Sequence, residues 1–224
     1  RAVASQSSTH LESQNDAFEL LPDAFTDRYE NAEQMTKSGL RLITKNAHTS
    51  KIIKEALKKY GLQFKLRKPE FYLSIAVKES GLTPTAVSGS DAKGLYQLKQ
   101  DAINDIKRIF PDLQLTMDDI YNEDPEGFMQ TRASTHNAMA GVLYWHLCRD
   151  NYVKKIGTFS AKDQDKFANI AYKMGPSQFG KLYIALGNPK TFKLFATAAA
   201  AQLIAKYPAA LLLPAGKSEV IIDP

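Results

Sequence analysis

Apolar residues recur at helical spacing along this chain, and glycine or proline cuts the pattern at short intervals. Ile52, Ile53, Ala56, Leu57 and Tyr60 form one stripe, which Gly61 ends. Pro69 stands where a helix tolerates it, in a first turn; Tyr72, Ile75, Ala76 and Glu79 follow at i, i+3, i+4 and i+7, and Gly81 ends them. Phe167, Ile170, Ala171 and Met174 share a face before Gly175-Pro176, and Phe179, Leu182, Tyr183 and Leu186 share one before Gly187-Asn188-Pro189. Each short helix buries its stripe only by packing on another. The expected fold class is therefore mostly α, with one irregular segment after Glu79.

The rest of the chain fits that reading. Residues 1–15 are polar and rich in Ser and Gln, a flexible lead-in. Helical patterning covers about 16–47 with a break expected near Gly39, and Ser50 is the expected cap of the next helix. Residues 82–98 read as loop or short β, and a short helix follows Asp101. The acidic connection 111–128 holds one short helix. A long helix covers about 132–149, and a core helix over 194–205 extends to about Tyr207. The tail 211–224 is expected to lie over the surface. Asp118, Asp119, Glu123, Asp124 and Glu126 read as a solvated turn. Hydrophobic residues make up 44% of the chain, enough for a real core.

Several function classes drop out. The net charge of +5 is modest and the lysines are scattered, which argues against nucleic acid and fits a polyanionic partner. Nothing approaches the run of about 18–20 apolar residues that spans a membrane. Cys148 stands alone, so no internal disulfide forms, and it reads as a buried small apolar residue. His10, His48, His136 and His146 lack partners at metal-ligand spacing, and no phosphate-binding loop or GxSxG occurs. No cofactor or metal is expected. The chain begins at Arg1, which we read as a processed product or a trimmed chain with any export signal outside it.

Glu79 is the residue that carries chemistry. It ends an apolar helix, where desolvation would raise its pKa and keep a proton available for donation. The plain alternative is a carboxylate in water at a frayed helix end. Gly89 and Gly94 permit close backbone approach in the following loop, and Gln97 offers a donor and an acceptor to sugar hydroxyl and amide groups. Asn137 lies on the inward stripe Ala133, Ala140, Gly141 and Tyr144. There it is either a satisfied structural asparagine or a sugar contact.

Residues 79–88 (ESGLTPTAVS) resemble the ESGFNPNAVS signature of soluble lytic transglycosylases, lysozyme-like enzymes that cut bacterial peptidoglycan. Residues 94–97 (GLYQ) resemble their GLMQ, 137–141 (NAMAG) their NIxxG, and 171–176 (AYKMGP) their AYNAGP, all in the family's order. The resemblance covers about 50–186. It implies a two-lobed, lysozyme-like α+β fold, mostly helical, with a cleft between the lobes. It implies that Glu79 protonates the glycosidic oxygen between N-acetylmuramic acid and N-acetylglucosamine. Glu79 then acts as base while the muramoyl 6-hydroxyl closes a 1,6-anhydro ring. By the same transfer Ser88 and Gln97 line the cleft, Tyr172 points its hydroxyl at the acid or the sugar, and Asn137 holds the cleft wall. Plain packing is the other reading of Tyr172.

Three positions depart from the family pattern. Asp91 stands where glycine is usual, Tyr96 where methionine is, and Lys173 where asparagine is. Asp91 reads as a solvated turn residue, as a second carboxylate that activates water, or as a partner for the ammonium of deacetylated glucosamine. Tyr96 stacks on a sugar or fills the methionine's space. Lys173 is solvated or contacts a muramoyl peptide. The expected organisation is a lead-in (1–15), a helical N-terminal extension (16–47), a catalytic domain (48–188), and a C-terminal helix and tail packed on it (189–224). Two other function classes stay open: a module that grips peptidoglycan without cutting it, and a protein whose terminal extensions dock onto an envelope or secretion machine. The expected setting is a monomer exported to the periplasm or the cell exterior.

Overall fold

The computed structural model describes residues 23–122 and 128–206. The lead-in 1–15, Glu123, Asp124, Glu126 and the tail 211–224 lie outside the described residues. The fold is mostly helical, and the only β pairing among the described residues is two isolated antiparallel bridges, Val87 with Lys93 and Lys93 with Leu98. The chain divides into two compact units between Tyr144 and Trp145. That division falls inside the span read as one catalytic domain, and residues 23–47, read as an extension, belong to the first unit.

The first unit holds α1 (Asp23–Thr44), α2 (Ala47–Lys59), α3 (Pro69–Ser80), α4 (Gln100–Ile109), a 3-10 turn (Pro111–Leu113), α5 (Met117–Ile120) and α6 (Phe128–His146) as far as Tyr144. α1 runs through Gly39 without the expected break. A Cβ on Gly39 would lie 2.7 Å from the Met139 backbone N and 3.0 Å from the Ala138 carbonyl carbon. The glycine is there so that α1 can touch the backbone of α6, which a sequence pattern shows only as a helix breaker. α2 is capped by Asn46, whose side chain accepts the Thr49 N–H at 3.0 Å, and Ser50, the expected cap, is buried inside the helix.

α3 buries Tyr72, Leu73, Ile75 and Ala76. Its end is built as the sequence indicates: Gly81 takes φ 58°, its N–H reaches the Val77 carbonyl, and the Leu82 N–H reaches that of Ala76. α5 starts on a capping box in which Thr116 and Asp119 bond reciprocally. Burial opposes ionisation of Asp119, but the hydrogen bonds from the Thr116 hydroxyl and N–H outweigh it and hold the carboxyl below its usual range.

The second unit begins at Trp145 in the last turn of α6. Its helix does not end near residue 149 but widens into a π-helical stretch, Leu147–Val153, followed by a short turn, Lys154–Ile156. Then come α7 (Ala161–Met174), α8 (Pro176–Ala185) and α9 (Phe192–Lys206). Phe167 is the hub of the core, with ring centroids 4.8 Å from Phe159, 5.8 Å from Phe179 and 5.4 Å from Phe195. Cys148 is fully buried. Met174, expected inside, is 38% exposed, because the buried face of α7 runs instead through Phe167, Ala168, Ala171 and Tyr172. α9 is likewise not the core helix its composition suggests. Leu194 is 55% exposed, while Phe195 docks on Phe167. No helix among the described residues is long and apolar enough to cross a membrane.

Candidate active site

Glu79 occupies the last turn of α3, half-buried, one residue before Ser80 and two before the left-handed Gly81. The helix holds the carboxylate at a fixed place, and Ser80 ties that place to the loop that follows. The Ser80 hydroxyl lies 2.7 Å from the Leu95 carbonyl oxygen and 3.1 Å from that of Ala76. Sequence reasoning saw Ser80 only as part of a signature. Its role depends on Leu95 folding back onto the helix end, which no local pattern announces.

The loop is a compact, internally bonded structure. Ser88 closes its outer turn: its hydroxyl accepts the Ala92 N–H at 3.0 Å, and its backbone N–H donates to the Ala92 carbonyl at 2.9 Å. Asp91 sits in that turn at φ 59°, a conformation natural to glycine and tolerated by aspartate. This explains why glycine is usual at the position and how Asp91 replaces it. The Asp91 side chain is 80% exposed, 3.6 Å from the Lys93 ammonium, which also lies 5.3 Å from the centre of the Tyr121 ring. Gln97, at φ 46°, donates through Nε2 to the carbonyls of Ala86 (2.9 Å) and Gly94 (3.0 Å), and its own amide group thus holds the loop together.

For Asn137 and Tyr96 the structure matches the packing alternatives, a satisfied structural asparagine and a ring that fills the methionine's space. Both are fully buried and present no surface to a ligand. Asn137 Oδ1 accepts the Tyr96 N–H at 2.8 Å, and Nδ2 donates to the Lys93 carbonyl at 3.1 Å. The side chain therefore acts as a backbone clamp on the loop. The Tyr96 ring fills the space left by Gly141, where an added Cβ would fall 2.4 Å from the ring's Cγ. Its hydroxyl lies 3.0 Å from Thr36 Oγ1 on α1. Burial pushes the phenol's pKa well above its ordinary value, against the lowering effect of the Thr36 bond, so it remains protonated. Sequence reasoning missed Thr36, since the partner lies sixty positions away.

Gly94 is the tightest point of the loop. It takes φ 79°, and a Cβ there would fall 2.3 Å from Asn137 Nδ2. Gly94→Ala should combine left-handed strain of about 1–2 kcal/mol with overpacking of similar size, a total loss of about 3 kcal/mol. Urea unfolding checks this, and a midpoint equal to wild type would mean the clamp yields freely.

Tyr172 and Lys173 belong to the second unit, at the end of α7. Tyr172 is 7% exposed and Lys173 is exposed. A separate cavity of about 410 Å³ in the first unit, lined by residues including His48, Lys51, Glu55 and Asp112, contains none of these side chains.

Taken chemically, the first unit presents one carboxylate on a rigid helix end, with a loop fixed to that end by Ser80 and to α6 by Asn137. A comparison with protein families agrees with the motifs: the family model described as Transglycosylase SLT domain matches residues 51–181, more than half of the chain. No curated protein matches the chain.

Proposed function

Since this chain belongs to the transglycosylase SLT domain family, whose members are lytic transglycosylases that cleave peptidoglycan glycan strands, we propose that Glu79 is the single acid/base of its reaction. Glu79 in its acid form gives its proton to the glycosidic oxygen that joins C1 of N-acetylmuramic acid to C4 of N-acetylglucosamine, and the C1–O bond breaks. The C6 hydroxyl oxygen of the same muramic acid bonds to C1 and its proton passes to the Glu79 carboxylate. The products are a 1,6-anhydro end and a free 4-hydroxyl, with the enzyme restored. This sequence needs one carboxylate, whereas hydrolysis by the usual scheme needs a second to act on water.

The observation that carries this choice is the placement of Asp91. It is the only carboxylate in loop 82–98, is 80% exposed, and faces Lys93 at 3.6 Å. A solvated aspartate beside a cation is suited to neither water activation nor selection of an amine-bearing sugar. We therefore assign the anhydro product and acetylated glycan as substrate, and place the working enzyme outside the cytoplasm, where peptidoglycan is. Ser88 and Gln97 shape the loop that receives the strand.

Mass spectrometry of fragments released from native and N-deacetylated peptidoglycan tests the assignment, with wild type and Asp91→Asn run together. Anhydro ends from native wall with both proteins are expected. Reducing ends that disappear in Asp91→Asn would transfer the chemistry to a hydrolase with two carboxylates. Release from deacetylated wall alone would make Asp91 an amine-recognising residue. No release from either would leave a binding module.

A further inference from the structure

The N-terminal helix contributes to the geometry of this site. α1 ends at Thr44, before the residues matched by the family model begin at 51. Yet Ala32 and Thr36 are fully buried, and Gly39 brings the helix against the backbone of Ala138 and Met139, immediately after Asn137. The Thr36 hydroxyl donates to the Ala32 carbonyl at 2.8 Å. Its proton is thereby committed, so in the 3.0 Å contact the Tyr96 O–H is the donor and Thr36 Oγ1 the acceptor. Tyr96 is thus held at both ends: Asn137 takes its N–H, and Thr36 takes its hydroxyl. The residue before it, Leu95, offers the carbonyl that receives the Ser80 hydroxyl, next to Glu79.

We propose that Thr36 is a positioning residue for catalysis, fixing Tyr96 and through it the Leu95 carbonyl to which the Glu79 end of α3 is bound. The tyrosine at 96, where the family has methionine, is then one half of a pair. A thioether needs no acceptor, whereas a buried phenol does, and α1 supplies it. The inference rests on the assignment of Glu79 as the acid. Small displacements of a catalytic group act mainly on kcat, which distinguishes positioning from packing.

The experiment measures kcat and KM on glycan strands together with urea unfolding for Thr36→Val, Tyr96→Phe, the double variant, Thr36→Ser and Glu79→Gln. Thr36→Val and Tyr96→Phe are each expected to lower kcat by about fivefold to tenfold with KM within about twofold. Because both cut the same link, the double variant should be no slower than the worse single one, while Thr36→Ser, which keeps the hydroxyl, stays at wild-type kcat. Tyr96→Phe retains the ring beside Gly141 and keeps the test decisive if Thr36→Val does not fold. Wild-type kcat in Tyr96→Phe, or a double variant whose loss is the product of the two, overturns the proposal. So does a shift in unfolding midpoint with kcat unchanged. If Glu79→Gln is inactive while Tyr96→Phe keeps wild-type kcat, only the role of Thr36 fails. If Glu79→Gln keeps wild-type release, the assignment of the acid fails and this inference with it.

Discussion

Glu79→Gln is expected to reduce release of glycan fragments by about 10³-fold or more, toward the upper end of what a positioned acid/base contributes. Glutamine keeps the length and planarity of the side chain but cannot surrender a proton to the leaving oxygen or take one from the 6-hydroxyl. Both halves of the reaction are lost together, and no second carboxylate of the loop stands in, since Asp91 is 80% exposed and engaged with Lys93. The α3 end is held by Gly81, Leu82 and the Ser80 hydroxyl. Glutamine is isosteric with glutamate, so stability should change by no more than about 1 kcal/mol. Fragment release and unfolding measured on the same preparation check this. Release at wild-type rate would place the acid elsewhere in the chain.

The second large effect concerns stability. In the π-helical stretch, Asp150 receives three partners: His146 Nδ1 at 3.0 Å, Arg149 Nη1 at 2.7 Å and Lys154 Nζ at 2.8 Å. Arg149 also bonds through Nε to Asp165. The wider π turn brings these residues of one segment around a single buried carboxylate. Burial opposes its ionisation, but the hydrogen bonds from His146 and Lys154 and the Arg149 charge prevail and hold the carboxyl below its usual range. Asp150→Asn leaves the cations around a neutral group. Removing one partner of a buried ion pair costs about 3–5 kcal/mol, and the lower end applies because Arg149 keeps Asp165 and the half-exposed Lys154 can turn to water. The sign with pH follows from the depressed folded value. The contribution is fully present above the unfolded carboxylate value of about 3.9 and disappears as pH falls through the lower folded value. Unfolding of wild type and Asp150→Asn should differ by about 3 kcal/mol at neutral pH, begin to converge below about pH 4, and coincide only once pH has fallen past the lower folded value. A constant difference across that window would show that shape rather than charge holds the segment.

The place of α1 also changes what a truncation reports. Removing the residues before 48 would strip Thr36, Gly39 and Ile43 from the first unit's core, so wall cleavage would fall along with any docking function of the N-terminus. Point variants on exposed positions of α1 are the cleaner probe for a partner.

Local chemistry was enough to mark α3, its proline start and glycine stop, because those signals act within one or two turns. The glutamate at its end, the glycine-rich loop after it and the order of the four motifs were legible for the same reason: each is a short run of residue types. The boundaries that failed depended on packing across the chain. Gly39 reads as a breaker until α6 is seen against it, Met174 reads as core until the buried face of α7 is seen to turn through Ala168 and Tyr172, the run from Leu194 reads as wholly core until Leu194 is seen exposed beside the docked Phe195, and Ser50 reads as a cap until Asn46 is found in its place. The roles of Asn137 and Tyr96 were decided the same way. A buried polar side chain must satisfy its hydrogen bonds wherever partners lie, and theirs are the backbone of Lys93 and Tyr96 and the hydroxyl of Thr36. The sequence by itself determined the helical class, the four family motifs and the loop that follows Glu79. Only the tertiary structure decided what holds that loop still, since those contacts join residues far apart in the chain.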